Sequence, residues 1–472
     1  MWTIFFVIFH VLGLLSAIHA VMSTRTSQGA IAWGVSLVAF PYVAVPAYWI
    51  LGRSRFKGYV TARQTGDAKM SDFGIEAGES VQAFYLPESE LENVEAGRAA
   101  QSLAGMPFMT GNSAHLLIDG DDTFASIMNG IDSATDYILF QFFIVHDDDI
   151  GREVKEHLVA KAKEGVRVYF LYDEVGSHDL PKSYKDELRA AGAEVFDFHT
   201  RKGPGNRFQI NFRNHRKVVV VDGHTTWIGG HNVGDEYLGR DPEFGHWRDT
   251  HVKIVGPAAL AAQLSFVEDW HWATGNILEL NWTAVPSADG DMHVLIVPSG
   301  PADRLETATL MFIHAINTAK KRIWIASPYF VPDEGIINAL QLAGLRGVDV
   351  RILIPDKPDH FLVYMAAFSY LNETSATGVK FYRYLDGFLH EKAMIIDDLA
   401  ATIGTANFDN RSFRLNFEIT ALLGGQEFIG EVEQMFLDDF AKSREMESDE
   451  YDAKPWYFKF GVKLARLTAP IQ

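Results

Sequence analysis

NHRKVVVVDGHTTWIGGHN (214–232) and LHEKAMIIDDLAATIGTAN (389–407) are the two stretches whose comparison decides the fold. Each reads His-x-Lys-x4-Asp-x6-Gly-[Gly/Thr]-x-Asn. The first copy supplies His215, Lys217, Asp222, Gly229, Gly230 and Asn232; the second supplies His390, Lys392, Asp397, Gly404, Thr405 and Asn407. VVVV (218–221) and AMII (393–396) read as buried strands, so a His and a Lys two apart share a face. WIGG and TIGT read as a second short strand and turn that bring Asn back beside them. A His, a Lys and an amide from each copy suit a phosphate diester. Lys217, Lys392, Asn232 and Asn407 would bind non-bridging oxygens and stabilise transition-state charge. One imidazole would attack phosphorus while the other protonates the leaving alcohol. A metal site fits less well, because a Lys beside each His repels a cation. Asp222 and Asp397, also part of the motif, lie an odd number of residues beyond Lys. A regular strand turns them to its other face, where a pairing or capping role is expected.

Working outward, the surrounding segments are duplicated too. IDSATDYILFQFFIVHDDD (131–149) parallels INTAKKRIWIASPYFVPDE (316–334), and EGVRVYFLYDEVGSH (164–178) parallels RGVDVRILIPDKPDH (346–360). Three blocks in one order indicate an internal duplication. Within each copy, buried strands such as YILFQFFIV (137–145) and VRVYFLYD (166–173) alternate with amphipathic helices at 123–134 and 151–163. The expected fold is α/β, with two pseudo-twofold-related domains, each a mixed sheet flanked by helices. We place the first domain at 111–285 and the second at 286–472, after a polar linker at 58–110. His146 to Asp149 reads as the acidic start of a helix.

The first 57 residues read as a membrane anchor. Two charge-free apolar runs, at about 2–22 and 29–51, are each long enough to span a bilayer core of roughly 30 Å. Pro41 and Pro46 are expected to kink the second. MWTIFF lacks the basic start of a signal peptide. The short connection holds only Arg25, whereas Arg53, Arg55, Lys57, Arg63 and Lys69 follow the second run, which puts the body of the protein in the cytoplasm.

The chain has 472 residues, 47% of them hydrophobic, a net charge of −19 and no cysteine. That excludes global disorder, a disulfide scaffold and a thiolate site, and it argues against non-specific nucleic-acid binding. The stretch 201–217 is a local exception, with Arg201, Lys202, Arg207, Arg213, Arg216, Lys217 and no acid. It would steer anionic headgroups towards the site. GPGN (203–206) reads as a turn. The C-terminal stretch WYFKFGVKLARLTAPI is amphipathic, suited either to a membrane surface or to packing on the domain.

The doubled HxKx4D pattern resembles that of the phospholipase D superfamily. FRNHRKVVVVDG, GGHNVGDEYLG, FGHWRDTHVKIVGP, SPYFVPDEG, GTANFDNRSFRLNFE and AKSRE narrow the likeness to bacterial cardiolipin synthases. The resemblance covers essentially the whole chain, including two N-terminal spans. It implies a multi-pass inner-membrane phosphatidyltransferase joining two phosphatidylglycerols into cardiolipin and glycerol through a phosphatidyl-histidine, without metal or nucleotide. By the same analogy His215 attacks and His390 is general acid and then base. Asp249 and Glu418 match the acids that orient the two imidazoles. Glu391 departs from the pattern, where a small residue is commoner, and strand alternation turns it away from the site. A hydrolase using water, a synthase taking phosphatidylethanolamine as co-donor and, further off, a nucleic-acid phosphodiesterase share this chemistry.

Overall fold

The computed structural model describes residues 2–24, 26–52, 56–69, 78–91, 97–199, 211–447 and 449–471. Its body is a mixed α/β structure built on one continuous sheet. From the centre outward, the first half orders its strands Met109–Ile118, Thr250–Val255, Thr225–Gly229, Val218–Val221, Tyr137–Phe142, Arg167–Asp173 and Glu194–Phe198. The second half runs Met292–Ser299, Asn416–Gly424, Ala400–Gly404, Ala393–Ile396, Arg322–Ala326, Asp349–Pro355 and Lys380–Tyr384 in the matching order. The halves join where their equivalent first strands pair antiparallel, with Met109 opposite Val294. Antiparallel pairing of equivalent strands is what a twofold relation between the halves requires.

The sequence explains the local structure. Val218–Val221 is buried on both faces because helices cover both sides of the sheet, so it needs no polar alternation. Helix Asp149–Lys163 starts at Asp148, whose carboxylate accepts the Gly151 N–H at 3.0 Å, as the acidic run predicts. Residues expected to be linker pack instead on the body. Tyr59 is buried, donates to Asp269 at 2.7 Å, and packs its ring at a tilt against Phe417.

At the N-terminus, Thr3–Ser23 is the one helix among the described residues that is long and apolar enough to cross a membrane. The second apolar run is not a single kinked helix. It forms Ser27–Ala39 and Pro41–Leu51, separated at Phe40, because Pro41 cannot donate the hydrogen bond that would continue the first. Pro46 does lie inside a helix. Trp49 donates to Ser16 at 3.0 Å, and His19 meets the Tyr48 hydroxyl at 2.7 Å, tying these segments to the first helix. Arg25, Arg53 and Arg55, on which the orientation argument leans, lie outside the described residues.

Candidate active site

Two short pairs of strands cross between the halves and position the histidines. Arg213–Asn214 runs parallel to the start of Asn416–Gly424, with Asn214 opposite Phe417. Phe388–Leu389 runs parallel to Trp247–Arg248, with Leu389 opposite Arg248. The His215 N–H then donates to Phe417 at 2.9 Å, and the His390 N–H donates to Arg248 at 2.8 Å. Each histidine is thereby set beside the residue that follows the one it donates to in the other half. Those residues are Glu418 and Asp249.

His215 Nδ1 lies 2.9 Å from Glu418 Oε2, and His390 Nδ1 lies 2.6 Å from Asp249 Oδ2. Both carboxylates are fully buried. Glu418 also accepts from the Thr405 hydroxyl at 2.5 Å and from the Asn416 amide at 3.1 Å. Burial alone would raise its pKa, but His215, Lys217 and the Thr405 hydroxyl hold it below the ordinary value. Asp249 accepts the Thr250 N–H at 2.8 Å. The variable motif position follows from this packing. A Cβ on Gly230 would stand 2.0 Å from Asp249 Oδ1, whereas Thr405 uses its hydroxyl to hold Glu418.

The lysines are buried and donate to the carbonyls of their own histidines, Lys217 to His215 at 2.8 Å and Lys392 to His390. Burial lowers Lys217 far below its usual pKa, and it lowers Lys392 to about 8 despite nearby Asp249 and Glu418. Burial brings His215 down to about 4, with Lys217 adding to it against the opposing Glu418. His390 is pushed well below the ordinary range by burial, then by Lys392, Lys217 and His215. The two lysines and two imidazoles thus disfavour one another's protonated forms, and an anion placed among them would favour those forms again. Asn232 Oδ1 accepts the Ile144 N–H at 3.1 Å, which turns its amide donors the other way. Asn407 is buried, and its backbone N–H donates to Ser412 at 3.1 Å.

Asp222 and Asp397 stand behind the site. Both adopt positive φ, 52° and 49°, at the turn after the motif strand. Asp222 accepts the N–H groups of Thr135, Asp136 and Tyr137 within 2.9 Å. Asp397 accepts those of Lys320, Lys321 and Arg322. Each carboxylate closes the beginning of the neighbouring strand.

The basic stretch does not act as a unit. Arg216 is buried and pairs with Asp269 at 3.0 Å, while its Nε donates to the Glu418 carbonyl. It is spent on structure and cannot steer a headgroup. Arg201, Lys202 and Arg207, with the GPGN turn, lie outside the described residues. Glu391 does turn away from the site, but into a buried cluster. It lies 2.9 Å from Arg248, which also meets Asp439 at 2.8 Å and Asp119 at 3.1 Å. Burial holds Glu391 well above the ordinary carboxylate range, against the lowering effect of Arg248. The motif spacing did not single out Thr405 and Asn416 as partners of the Glu418 carboxylate. Both lie in its own half, brought beside it by the pairing of Ala400–Gly404 with Asn416–Gly424.

Residues 127–259 and 312–440 match the family described as "Cardiolipin synthase, PLD-like domain". Among similar proteins, "Cardiolipin synthase A" of Pseudomonas fluorescens (strain SBW25) is 47% identical over 463 residues, 98% of this chain and 96% of that one. "Cardiolipin synthase A" of Pseudomonas putida (strain W619) is also 47% identical, over 466 residues with the same coverage. Among solved structures, the phosphatidylserine synthase of Haemophilus influenzae Rd KW20 superposes with a TM-score of 0.60 at 17% identity. That match covers 80% of this chain and 100% of that one, and it bears on the fold alone.

Proposed function

The chain belongs to the cardiolipin synthase family of phospholipase D-like proteins, and from that premise we propose that it transfers a phosphatidyl group from one phosphatidylglycerol to another, giving cardiolipin and glycerol. The observation that carries the mechanism is the crossed pairing, His215 with Glu418 and His390 with Asp249. With Nδ1 committed to a carboxylate, Nε2 of each ring is the nitrogen left for chemistry.

His215 Nε2 attacks phosphorus as the bond to the glycerol headgroup oxygen breaks, and His390 gives its proton to that oxygen. A phosphatidyl-histidine remains. The terminal hydroxyl of a second phosphatidylglycerol then attacks phosphorus, His390 takes its proton, and the P–N bond breaks to release cardiolipin. The bound phosphodiester's negative charge offsets Lys217 and Lys392, and so raises His390 towards a pKa at which it can carry the proton. Lys217, Lys392, Asn232 and Asn407 hold the non-bridging oxygens. Glu418 and Asp249 fix the rings; Asp222 and Asp397 brace the strands.

The substrate and product are membrane lipids, with no nucleic-acid partner. The chain is an integral protein of the bacterial inner membrane, with the second apolar run crossing as two stacked helical segments and the catalytic body in the cytoplasm. Its functional units are an anchor to residue 57 and the two domains, with motif regions at 210–237 and 385–412.

The deciding experiment gives purified full-length protein phosphatidylglycerol alone and reads products and acid-quenched protein by mass spectrometry. Cardiolipin with equimolar glycerol, and a phosphatidyl adduct on His215, is the expected result. Phosphatidic acid as sole product would mean a hydrolase, synthesis only with phosphatidylethanolamine a mixed-donor enzyme, and an adduct on His390 the reverse assignment.

A further inference from the structure

The C-terminal helix Trp456–Arg466 divides into three sectors. Val462 and Ala465 are buried, and Phe458 meets Phe368 edge-on at 5.2 Å, so this sector packs on helix Phe361–Ser375. Lys459, Lys463 and Arg466 line one flank. Trp456, Tyr457, Phe460, Leu464 and Leu467 form the face away from the body, and each is between 51% and 77% exposed. Single exposed apolar side chains are ordinary, but five on one short face mark an interaction surface.

We propose that this face is a second membrane contact, immersed in the headgroup–acyl boundary of an anionic bilayer. The inference rests on the reading of the chain as an enzyme acting on membrane lipids. Three observations favour a bilayer over another protein. Aromatic and aliphatic residues on the outer face with lysines on the flank are the pattern of a helix lying in an anionic interface. The helix reaches the site: the turn Ala469–Ile471 packs on helix Asn410–Arg414, which begins three residues after Asn407 and whose Arg411 bonds Asn211 across the halves. The anchor arrives there too, since Phe56 stacks on Phe212 at 5.1 Å, three residues before His215. Held at the anchor and at this helix, the body would present its site to the bilayer from two points rather than swing on one.

The absence of cysteine makes a direct test possible. Full-length Phe460→Cys, labelled with an environment-sensitive fluorophore, is reconstituted into phosphatidylglycerol–phosphatidylcholine vesicles with and without brominated acyl chains. Asp438→Cys, on an exposed helix position, is the reference. The label at 460 should emit to the blue and be quenched at least twofold by bromolipid, with the reference unquenched. Water-like, unquenched emission at 460 overturns the proposal. So does a blue shift without bromine quenching that grows with protein density, which would mean self-association. In a second arm, Phe460→Glu/Leu464→Glu, with its melting temperature checked, should need about tenfold more phosphatidylglycerol on vesicles for half-maximal rate, with kcat within twofold and detergent-micelle activity retained. Unchanged vesicle kinetics also overturn it. The quenching arm decides the inference whether or not the chain makes cardiolipin, so the two readings fail separately.

Discussion

At the residue scale, the proposed chemistry depends on imidazoles that work as a unit. His215→Ala and His390→Ala should each lower kcat by roughly 10³-fold or more, and the double variant should be little worse than the poorer single one. Glycerol release from phosphatidylglycerol vesicles measures this, and near-normal turnover in either single variant would rule out a two-imidazole mechanism. Because each ring is oriented from the opposite half, Glu418→Gln acts on His215 and Asp249→Asn on His390. Each should cost about 10²- to 10⁴-fold in kcat through loss of ring orientation, with KM changed by less than about threefold. A change confined to KM would assign the acids to lipid binding. Arg248 and Glu391 separate support from chemistry in the same way. Removing the guanidinium in Arg248→Ala strands Glu391 and Asp439, while Asp119 keeps His246, and should cost about 3–5 kcal/mol. Glu391→Gln should cost less than about 1 kcal/mol, because Asp439 keeps its partner and a carboxyl held neutral loses little as an amide. Denaturant unfolding in detergent checks both.

At the scale of elements, the long buried strands were legible because a run such as VVVV has no solvent-facing alternative, and the helices because their acidic starts cap free N–H groups. The crossing strands were not. Arg213–Asn214 and Phe388–Leu389 are two residues long and carry no periodicity; their pairing is set by the other half. Arg216 misled for a related reason: a cation in a basic run looks solvated until Asp269, 53 residues away, is brought beside it. The break at Phe40 shows local chemistry prevailing, since the missing Pro41 donor interrupts what composition alone reads as one helix. Asp222 and Asp397 were legible as structural by parity, but their positive φ was not, because it depends on the turn that follows. This brace can be measured. Asp222→Ala loses the acceptor of three backbone N–H groups and leaves a Cβ in a left-handed conformation, so it should destabilise by about 2–3 kcal/mol. Turnover per folded molecule should stay within about tenfold, and a collapse of kcat at full stability would move Asp222 into the chemistry.

At the scale of the whole molecule, the crossed His–carboxylate pairs lie at the seam of a duplicated sheet, so neither half holds a complete set of the proposed catalytic groups, and the titratable groups buried there make stability depend on pH. His215 and His231 are lowered by burial to about 4, and burial also holds His251 and His390 well below the ordinary value. In the unfolded chain all four titrate near about 6.5. Above that pH both states hold neutral rings and these groups contribute no pH dependence. As pH falls below it the unfolded chain takes up protons that the native protein refuses. Stability should therefore drop between about 6.5 and 4, by roughly 3 kcal/mol for each of His215 and His231. Asp173 and Asp409, raised by burial to about 6, act oppositely, since the native protein protonates them first and gains as pH falls through that value. Glu391, Asp303 and Asp439, also raised by burial, act in the same sense as these two carboxyls, so the imidazole contribution is read by removing one ring. His231→Asn should lose less melting temperature than the parent protein between about pH 6.5 and 4.5, in detergent, because it lacks one group that refuses its proton in the native state. Coincident profiles would mean that this ring reaches solvent, and with it would go the dry, crowded centre on which the proposed transfer chemistry depends.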